Sequence, residues 1–173
     1  MHPLQVQIAL RALALLKVGG RMVYSTCSLN PLEDEAVVSE LLRRGNGAVR
    51  LVDLSDKLPR LRRSSGLRNW HVVDDAGREF HSVEEVPETK KTLFPRSVFP
   101  AGTENQELER CMRILPHQQN SGGFFVCMLE KVAEMPVSSG VSSVALTGSV
   151  KNEQAPFALC QKRGVFAPWD GRE

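Results

Sequence analysis

The chain has 173 residues, 42% of them hydrophobic, and a net charge of +2 from 22 basic and 20 acidic side chains. That length suits one domain plus a tail, and that apolar content supports a buried core and excludes a compositionally disordered chain. The near balance of charge is no bulk signature of a nucleic-acid binder, so any RNA affinity has to come from a local patch.

The four cysteines, Cys27, Cys111, Cys127 and Cys160, are widely spaced and form no Cys-x-x-Cys pair. A disulfide framework and a zinc site both lack their usual spacing, and reduced thiols in a cytosolic or nuclear protein are expected. The apolar run after Met1 is interrupted by Arg11 and leads into a strand rather than a cleavage site, so no secretory signal is read there. No stretch is long and apolar enough to span a bilayer, and no membrane partner is expected.

In chain order, Leu4 to Lys17 reads as a helix, with Leu4, Ile8 and Leu15 at helical spacing and Gly19-Gly20 as its stop. Its largely apolar circumference suits a helix packed on a sheet. Arg21 to Ser25 reads as a buried strand, followed by the loop Thr26-Cys27-Ser28-Leu29-Asn30-Pro31, which Pro31 keeps out of helical geometry. Leu32 to Arg44 reads as a second helix, its first turn acidic and its last turn basic, as the macrodipole favours. Val49 to Leu54 alternates apolar and polar residues and reads as a strand. Residues 55–110 read as an insertion with short irregular strands and one helix near Glu104 to Met112. Gly123 to Lys131 is a strong strand candidate. From 136 to 173 the composition shifts to Val, Ser and Gly, and a disordered tail is expected. The order suggests one side of an α/β sheet, with a βαβ crossover at the first strand-to-helix step.

Chemistry concentrates in Tyr24-Ser25-Thr26-Cys27-Ser28-Leu29-Asn30-Pro31-Leu32-Glu33-Asp34-Glu35. A cysteine just past the C-terminal end of a strand stands where open α/β sheets bind ligands. By position alone it is a nucleophile or a small core residue, and the second is commoner. The run from Gly19-Gly20 through Val23 to Ser28, Pro31 and Glu33-Asp34-Glu35 resembles the Thr-Cys motif of the Sun-domain RNA cytosine-5 methyltransferases. Far downstream, Arg113-Ile114-Leu115-Pro116-His117 and then Gly122-Gly123-Phe124-Phe125-Val126 resemble that family's closing segment, a Pro-His loop before the last strand. Two motifs in the right order make the likeness specific. The insertion, with Trp70, Phe80 and the Phe94-Pro95 and Phe99-Pro100 pairs, looks most like the eukaryotic tRNA-modifying branch. The resemblance covers residues 4–135.

The resemblance implies the C-terminal part of a Rossmann-like methyltransferase fold, with the strand holding Val23 in mid-sheet and the strands near Val49 and Phe125 at its far edge. It implies transfer of a methyl group from S-adenosylmethionine to carbon 5 of cytosine in RNA, most of all tRNA. Carbon 5 is a poor nucleophile until a thiolate adds to carbon 6, and by resemblance Cys27 is that nucleophile. The target base has to be unstacked to be reached. Thr26, Ser28, Asn30, Glu33 and His117 are the substrate-binding candidates. The family's Pro-Cys motif and cofactor loop lie upstream of the Thr-Cys motif. No Pro-Cys pair occurs in these 173 residues. Gly19-Gly20 follows a helix and precedes a strand, the reverse of a nucleotide loop. The cofactor site is therefore expected in an N-terminal part not included here, which becomes a candidate partner, and a nuclear location (nucleolar or cytoplasmic as alternatives) is implied by the branch.

Each candidate has a plainer reading. Glu33, Asp34 and Glu35 either orient the Cys27 loop or complement a helix N-terminus, and both can hold. His117 contacts RNA or serves as a loop hydrogen-bond partner. Arg60, Arg62, Arg63 and Arg68 grip phosphates or form a solvated face. The insertion's aromatics stack on bases or pack a subdomain, while Phe124 and Phe125 read as core, and Cys111, Cys127 and Cys160 as inert. Two further classes remain: a non-catalytic RNA-binding fragment, and a fragment that orders only with a partner supplying the other half.

Overall fold

The computed structural model describes residues 1–101 and 107–136. The tail read at 136–173 thus falls, apart from residue 136, outside the described residues. So does Cys160.

The first helix, α1, spans His2–Leu15, with Pro3 in its first turn, where no amide donor is needed. It ends earlier than the glycines suggest because Leu16 is already extended. Gly19, at φ +82°, and Gly20, whose amide donates to Lys17 O at 2.8 Å, then turn the chain into β1 (Arg21–Thr26). The face of α1 that packs inward is His2, Val6, Ala9 and Leu13. The expected apolar set lies elsewhere: Leu4, Ile8 and Leu15 are 54%, 62% and 76% exposed. Both stripes have helical spacing. The one carrying the smaller Val6 and Ala9 lets the helix approach α2 closely.

Helix α2 covers Glu35–Gly45 rather than starting at Leu32. Residues 31–34 form a turn, in which Glu33 N donates to Asn30 O and Ala36 N to Pro31 O. Asn46, at φ +45°, caps the other end by donating to Leu42 O and Arg43 O. On its last turns Glu40 gathers Arg43 and Arg44.

After α2 come β2 (Val49–Leu51), β3 (Ser64–Ser65), β4 (Val72–Val73), β5 (Glu79–Phe80), β6 (Met112–Ile114), the single-turn α3 (Pro116–Gln119) and β7 (Phe124–Lys131). Strand β7 is the spine of the sheet. It pairs antiparallel with β1 along one side, and with β6 and then β2 along the other. Because β1 and β2 both oppose β7, they run parallel to each other with β7 between them, and α2 is the crossover that joins them. This is an α/β sheet of the Rossmann-like kind, with one placement corrected: the strand holding Phe125 lies between β1 and β2 rather than at the far edge, while the second side of β1 has no partner strand among the described residues and stays open to the upstream strands expected there. Chain order misled here, because the last strand inserts between two earlier ones.

Strand parity sorts the residues. Phe125, Cys127, Leu129 and Lys131 of β7 are buried with Leu51 beneath α1 and α2, whereas Phe124, on the opposite face, is 45% exposed. Of the two phenylalanines read as core, only Phe125 belongs there.

The insertion is short strands and 3₁₀ turns, as expected. Strands β4 and β5 form a hairpin turning at Gly77, φ +77°. Trp70 donates its indole N–H to Val98 O at 2.8 Å, and Phe80 packs on Phe94 at 5.7 Å between ring centroids. These aromatics serve packing. The helix expected near Glu104 to Met112 is corrected: residues 107–110 make one 3₁₀ turn, Met112 opens β6, and 102–106 lie outside the described residues. Pairing of β6 with both β3 and β7 overrides the local helical pattern.

Candidate functional site

Cys27 follows the last residue of β1 and is exposed. Sheet register decides what surrounds it. Thr26 opposes Phe125 on β7, and Phe125 opposes Arg113 on β6, so three strands bring these residues into one row on one face. The same register carries the Pro116-His117 turn and Gly122-Gly123 to the end of the sheet where Cys27 emerges. The two motifs that are distant in sequence therefore meet, and the contact is direct. A β-carbon placed on Gly123 lies 3.2 Å from Leu29 Cδ1 and 3.6 Å from Pro116 Cδ, so the glycine lets the cysteine loop seat against the Pro-His turn.

The loop is fastened on both sides of Cys27. Thr26 Oγ1 donates to Asp34 Oδ1 at 2.6 Å and lies 3.2 Å from Ser28 O. Ser28 Oγ accepts from Asn30 N, and Asn30 Oδ1 accepts from Leu32 N, a pair of local turns typical of Ser and Asn. Tyr24 Oη donates to Glu33 O at 2.6 Å. Of the substrate-binding candidates, Thr26, Ser28 and Asn30 thus spend these hydrogen bonds on the loop itself, and Glu33 contributes its carbonyl. His2, buried at the start of α1, reaches the same segment, with Nδ1 at 2.7 Å from Leu32 O and Nε2 at 2.8 Å from Ser97 Oγ.

Beneath the loop lies a buried ionic cluster. Arg113 donates Nε and Nη2 to the two oxygens of Glu35, and Nη1 to Leu29 O at 3.0 Å. Glu35 Oε1 also accepts from Leu67 N. Asp34 is wholly buried; its Oδ2 has no hydrogen-bond partner among the described residues and lies 3.7 Å from Arg113 Nη2. Burial pushes the Asp34 carboxyl up to about 7; the charges of Glu35 and Glu33 add to this, while the Thr26 hydroxyl and Arg113 oppose it. Asp34 makes no side-chain cap to α2. Asp34 and Glu35 thus serve the loop and Arg113, and Glu35 also stands in the acidic first turn of α2, so both readings of the run hold together. Arg113 opens the downstream Pro-His motif, where its residue type alone points to no role. The available signal was its parity: an arginine on the Phe125 face of a central strand pair needs a buried carboxylate.

His117 is exposed in the first turn of α3, and its side chain makes no hydrogen bond among the described residues. With Pro59, Leu61, Arg62, Arg63 and Gln118 it lines a groove of about 550 Å³. The basic cluster divides here. Arg63 reaches Leu54 O and Ser55 O, Arg62 reaches Gln118 O, and Arg68 pairs with Glu109.

Gly19-Gly20 does not fit the phosphate- or cofactor-cradling loop of a nucleotide site. Gly19 is tied by its amide to Lys131 O and Gly20 to Lys17 O, so the glycine pair is a helix-to-strand turn with its amides engaged. Among the described residues no group of three or more His, Cys, Asp or Glu is placed to hold a metal ion, and no helix is long and apolar enough to cross a membrane. Cys111 and Cys127 are buried. A hydrogen bond to Cys127 and burial together raise the Cys111 thiol well above its ordinary value, which suits an inert core residue.

Residues 1–130 match the protein family described as 16S rRNA methyltransferase RsmB/F. The chain is 52% identical over 134 residues to the multisite-specific tRNA:(cytosine-C(5))-methyltransferase trm4b of Schizosaccharomyces pombe. It is 48% identical over 134 residues to the multisite-specific tRNA:(cytosine-C(5))-methyltransferase of Saccharomyces cerevisiae, and 42% identical over 135 residues to the tRNA (cytosine(34)-C(5))-methyltransferase of Drosophila melanogaster. These matches take in 76%, 78% and 76% of this chain, but only 19%, 19% and 18% of the respective relatives. The two motifs, the loop they build together and the match over residues 1–130 agree: the chain belongs to the RsmB/F, or Sun-domain, family of RNA methyltransferases.

Proposed function

We propose that this chain carries the nucleophile of an RNA cytosine-5 methyltransferase acting on tRNA, and that Cys27 is that nucleophile. The observation that carries the reading is the presentation of Cys27. It is an exposed thiol at the C-terminal end of a sheet strand, on a loop secured at Thr26 and Leu29. A thiolate there can add to carbon 6 of an unstacked cytosine, moving the electron pair of the 5,6 double bond onto carbon 5. After carbon 5 takes a methyl group, loss of its proton re-forms the double bond and expels the Cys27 thiolate. S-adenosylmethionine is the methyl donor in this reading. Its site and the group that assists release belong to an N-terminal part of the catalytic domain, consistent with the small share of each relative that this chain spans. Thr26, Ser28 and Asn30 shape the loop; Glu33 and His117 border the approach of the base.

The groove lined by Arg62, Arg63 and His117 favours a second, non-catalytic reading, in which the chain grips RNA phosphates. The two readings separate in one experiment. Binding of labelled S-adenosylmethionine and methyl transfer to tRNA are measured for the 173-residue chain and for a form extended at its N-terminus. The expected result is neither activity in the shorter chain, transfer in the longer, and loss of transfer in Cys27→Ser. Transfer that survives Cys27→Ser excludes the covalent reading. Salt-sensitive tRNA binding without transfer in either form favours the second.

A further inference from the structure

We propose that Arg113 is a positioning residue for the Cys27 loop, and that the buried Arg113–Glu35 pair exists to set the place of the thiol rather than to stabilise the fold. The inference rests on the reading of Cys27 as the nucleophile.

Three observations carry it. Arg113 is 6% exposed and reaches its place from β6, far from Cys27 in sequence. Its Nε and Nη2 are taken up by Glu35 at the start of α2, while Nη1 is aimed out of that pair at Leu29 O, two residues beyond Cys27. The Leu29 side chain lies independently against Gly123, where an added β-carbon would stand 3.2 Å from its Cδ1. Leu29 is thus fixed by backbone and side chain, and Thr26 by Asp34 and Ser28 O, leaving Cys27 as the exposed residue between two fastened points.

A buried ion pair is a poor way to gain stability. Apolar residues of similar volume often serve as well, so a pair that persists invites a different role. Guanidinium geometry supplies one. The planar fork holds the carboxylate with two donors and projects a third in a fixed direction, which a lysine at the same place lacks. Addition to a ring carbon is sensitive to placement, since a displacement of roughly 1 Å can cost about 100-fold in rate. Freed from Nη1, the Leu29 carbonyl and the Cys27 Cα move without unfolding the sheet, because β1, β6 and β7 retain their pairing.

The test separates positioning from support. Arg113→Met alone leaves Glu35 buried and unpaired, and is expected to destabilise the chain. Arg113→Met combined with Glu35→Gln removes both charges together and keeps an acceptor for the Leu67 amide. Urea unfolding of the 173-residue chain and methyl transfer by the N-terminally extended form are measured for wild type, both variants and Cys27→Ser. Positioning predicts that the double variant regains most of the lost stability, yet its kcat stays about 100-fold below wild type with the KM for tRNA within about threefold. Recovery of kcat along with stability overturns the proposal and makes the pair structural. A KM rise with unchanged kcat also overturns it, because it assigns Arg113 to substrate binding. If Cys27→Ser itself retains transfer, the nucleophile reading fails first, and the Arg113 inference with it.

Discussion

Asp34 lies wholly buried between Thr26 and Arg113, and its raised carboxyl value makes stability depend on pH in a direction opposite to the usual carboxylate. In the unfolded chain this group releases its proton near the ordinary 3.8, while in the folded protein it holds the proton up to about 7. Between those values the folded state binds more protons, so its stability falls as pH rises from about 4 through 7. Each pH unit of that window carries at most about 1.4 kcal/mol. His2 acts in the opposite sense. Its burial lowers its pKa below the ordinary 6.5, so its neutral form is favoured and stability is lost as pH falls through that region. The difference between wild type and Asp34→Asn isolates Asp34, because the amide keeps an acceptor for the Thr26 hydroxyl and never ionises. Urea unfolding at several pH values should show the variant gaining on wild type steadily from pH 4 to pH 7.5. A constant difference across that range shows that Asp34 is ionised throughout. At this scale the sequence exposed only part of the cluster. Cys27 and Thr26 stood out through a contiguous motif. Arg113, which touches Glu35 and Leu29 across three strands, left only the trace of its parity, because its partners are defined by register and not by spacing.

At the scale of elements, periodicity located α1, α2, β1 and β7, but it did not say which face turns inward. In α1 both the Val6–Ala9–Leu13 stripe and the Leu4–Ile8–Leu15 stripe satisfy a helical period, and only close approach to α2 selects the first. Strand β6 is three residues long and is defined by its neighbours on either side, so no local pattern announces it. The insertion joins the sheet through such a neighbour. Gly66 N donates to Cys111 O, and a β-carbon at Gly66 falls 2.2 Å from Leu108 O and 2.8 Å from Cys111 Cβ. The first obstacle is backbone and cannot swing aside, so Gly66→Ala forces β3 away from β6. Overpacking of this kind costs about 1–3 kcal/mol, occasionally more. Gly77→Ala provides a contrast. Its β-carbon meets nothing within 4 Å, and its penalty is the positive φ of the hairpin turn alone. Denaturant midpoints should place Gly66→Ala well below Gly77→Ala. The reverse order is incompatible with close packing of the insertion on β6.

Among the described residues the sheet leaves one edge and much of one face uncovered. On β1, Arg21, Val23 and Ser25 point away from the buried face, Val23 at 56% exposure, and on α1 Leu4, Ile8 and Leu15 form an apolar stripe interrupted by Arg11. Unpaired strand edges and contiguous apolar surface are places where other chains add. In the proposed reading the α1 stripe meets the N-terminal part of the catalytic domain. Ile8→Lys is then expected to act with opposite sign in two contexts. In the 173-residue chain it removes apolar surface and adds charge, so sedimentation velocity should show less self-association than wild type. In the N-terminally extended form it puts an ammonium where a side chain would be buried, and should cost about 1.5–3 kcal/mol of stability, the usual worth of burying an isoleucine. The 173-residue chain, in which Ile8 is 62% exposed, should itself unfold at the same urea concentration with or without the change. Loss of stability confined to the longer form ties the stripe to the N-terminal part. Equal stability of the two longer forms leaves Ile8 as ordinary surface, and places any contact with that part elsewhere, with the free edge of β1 the next segment to test.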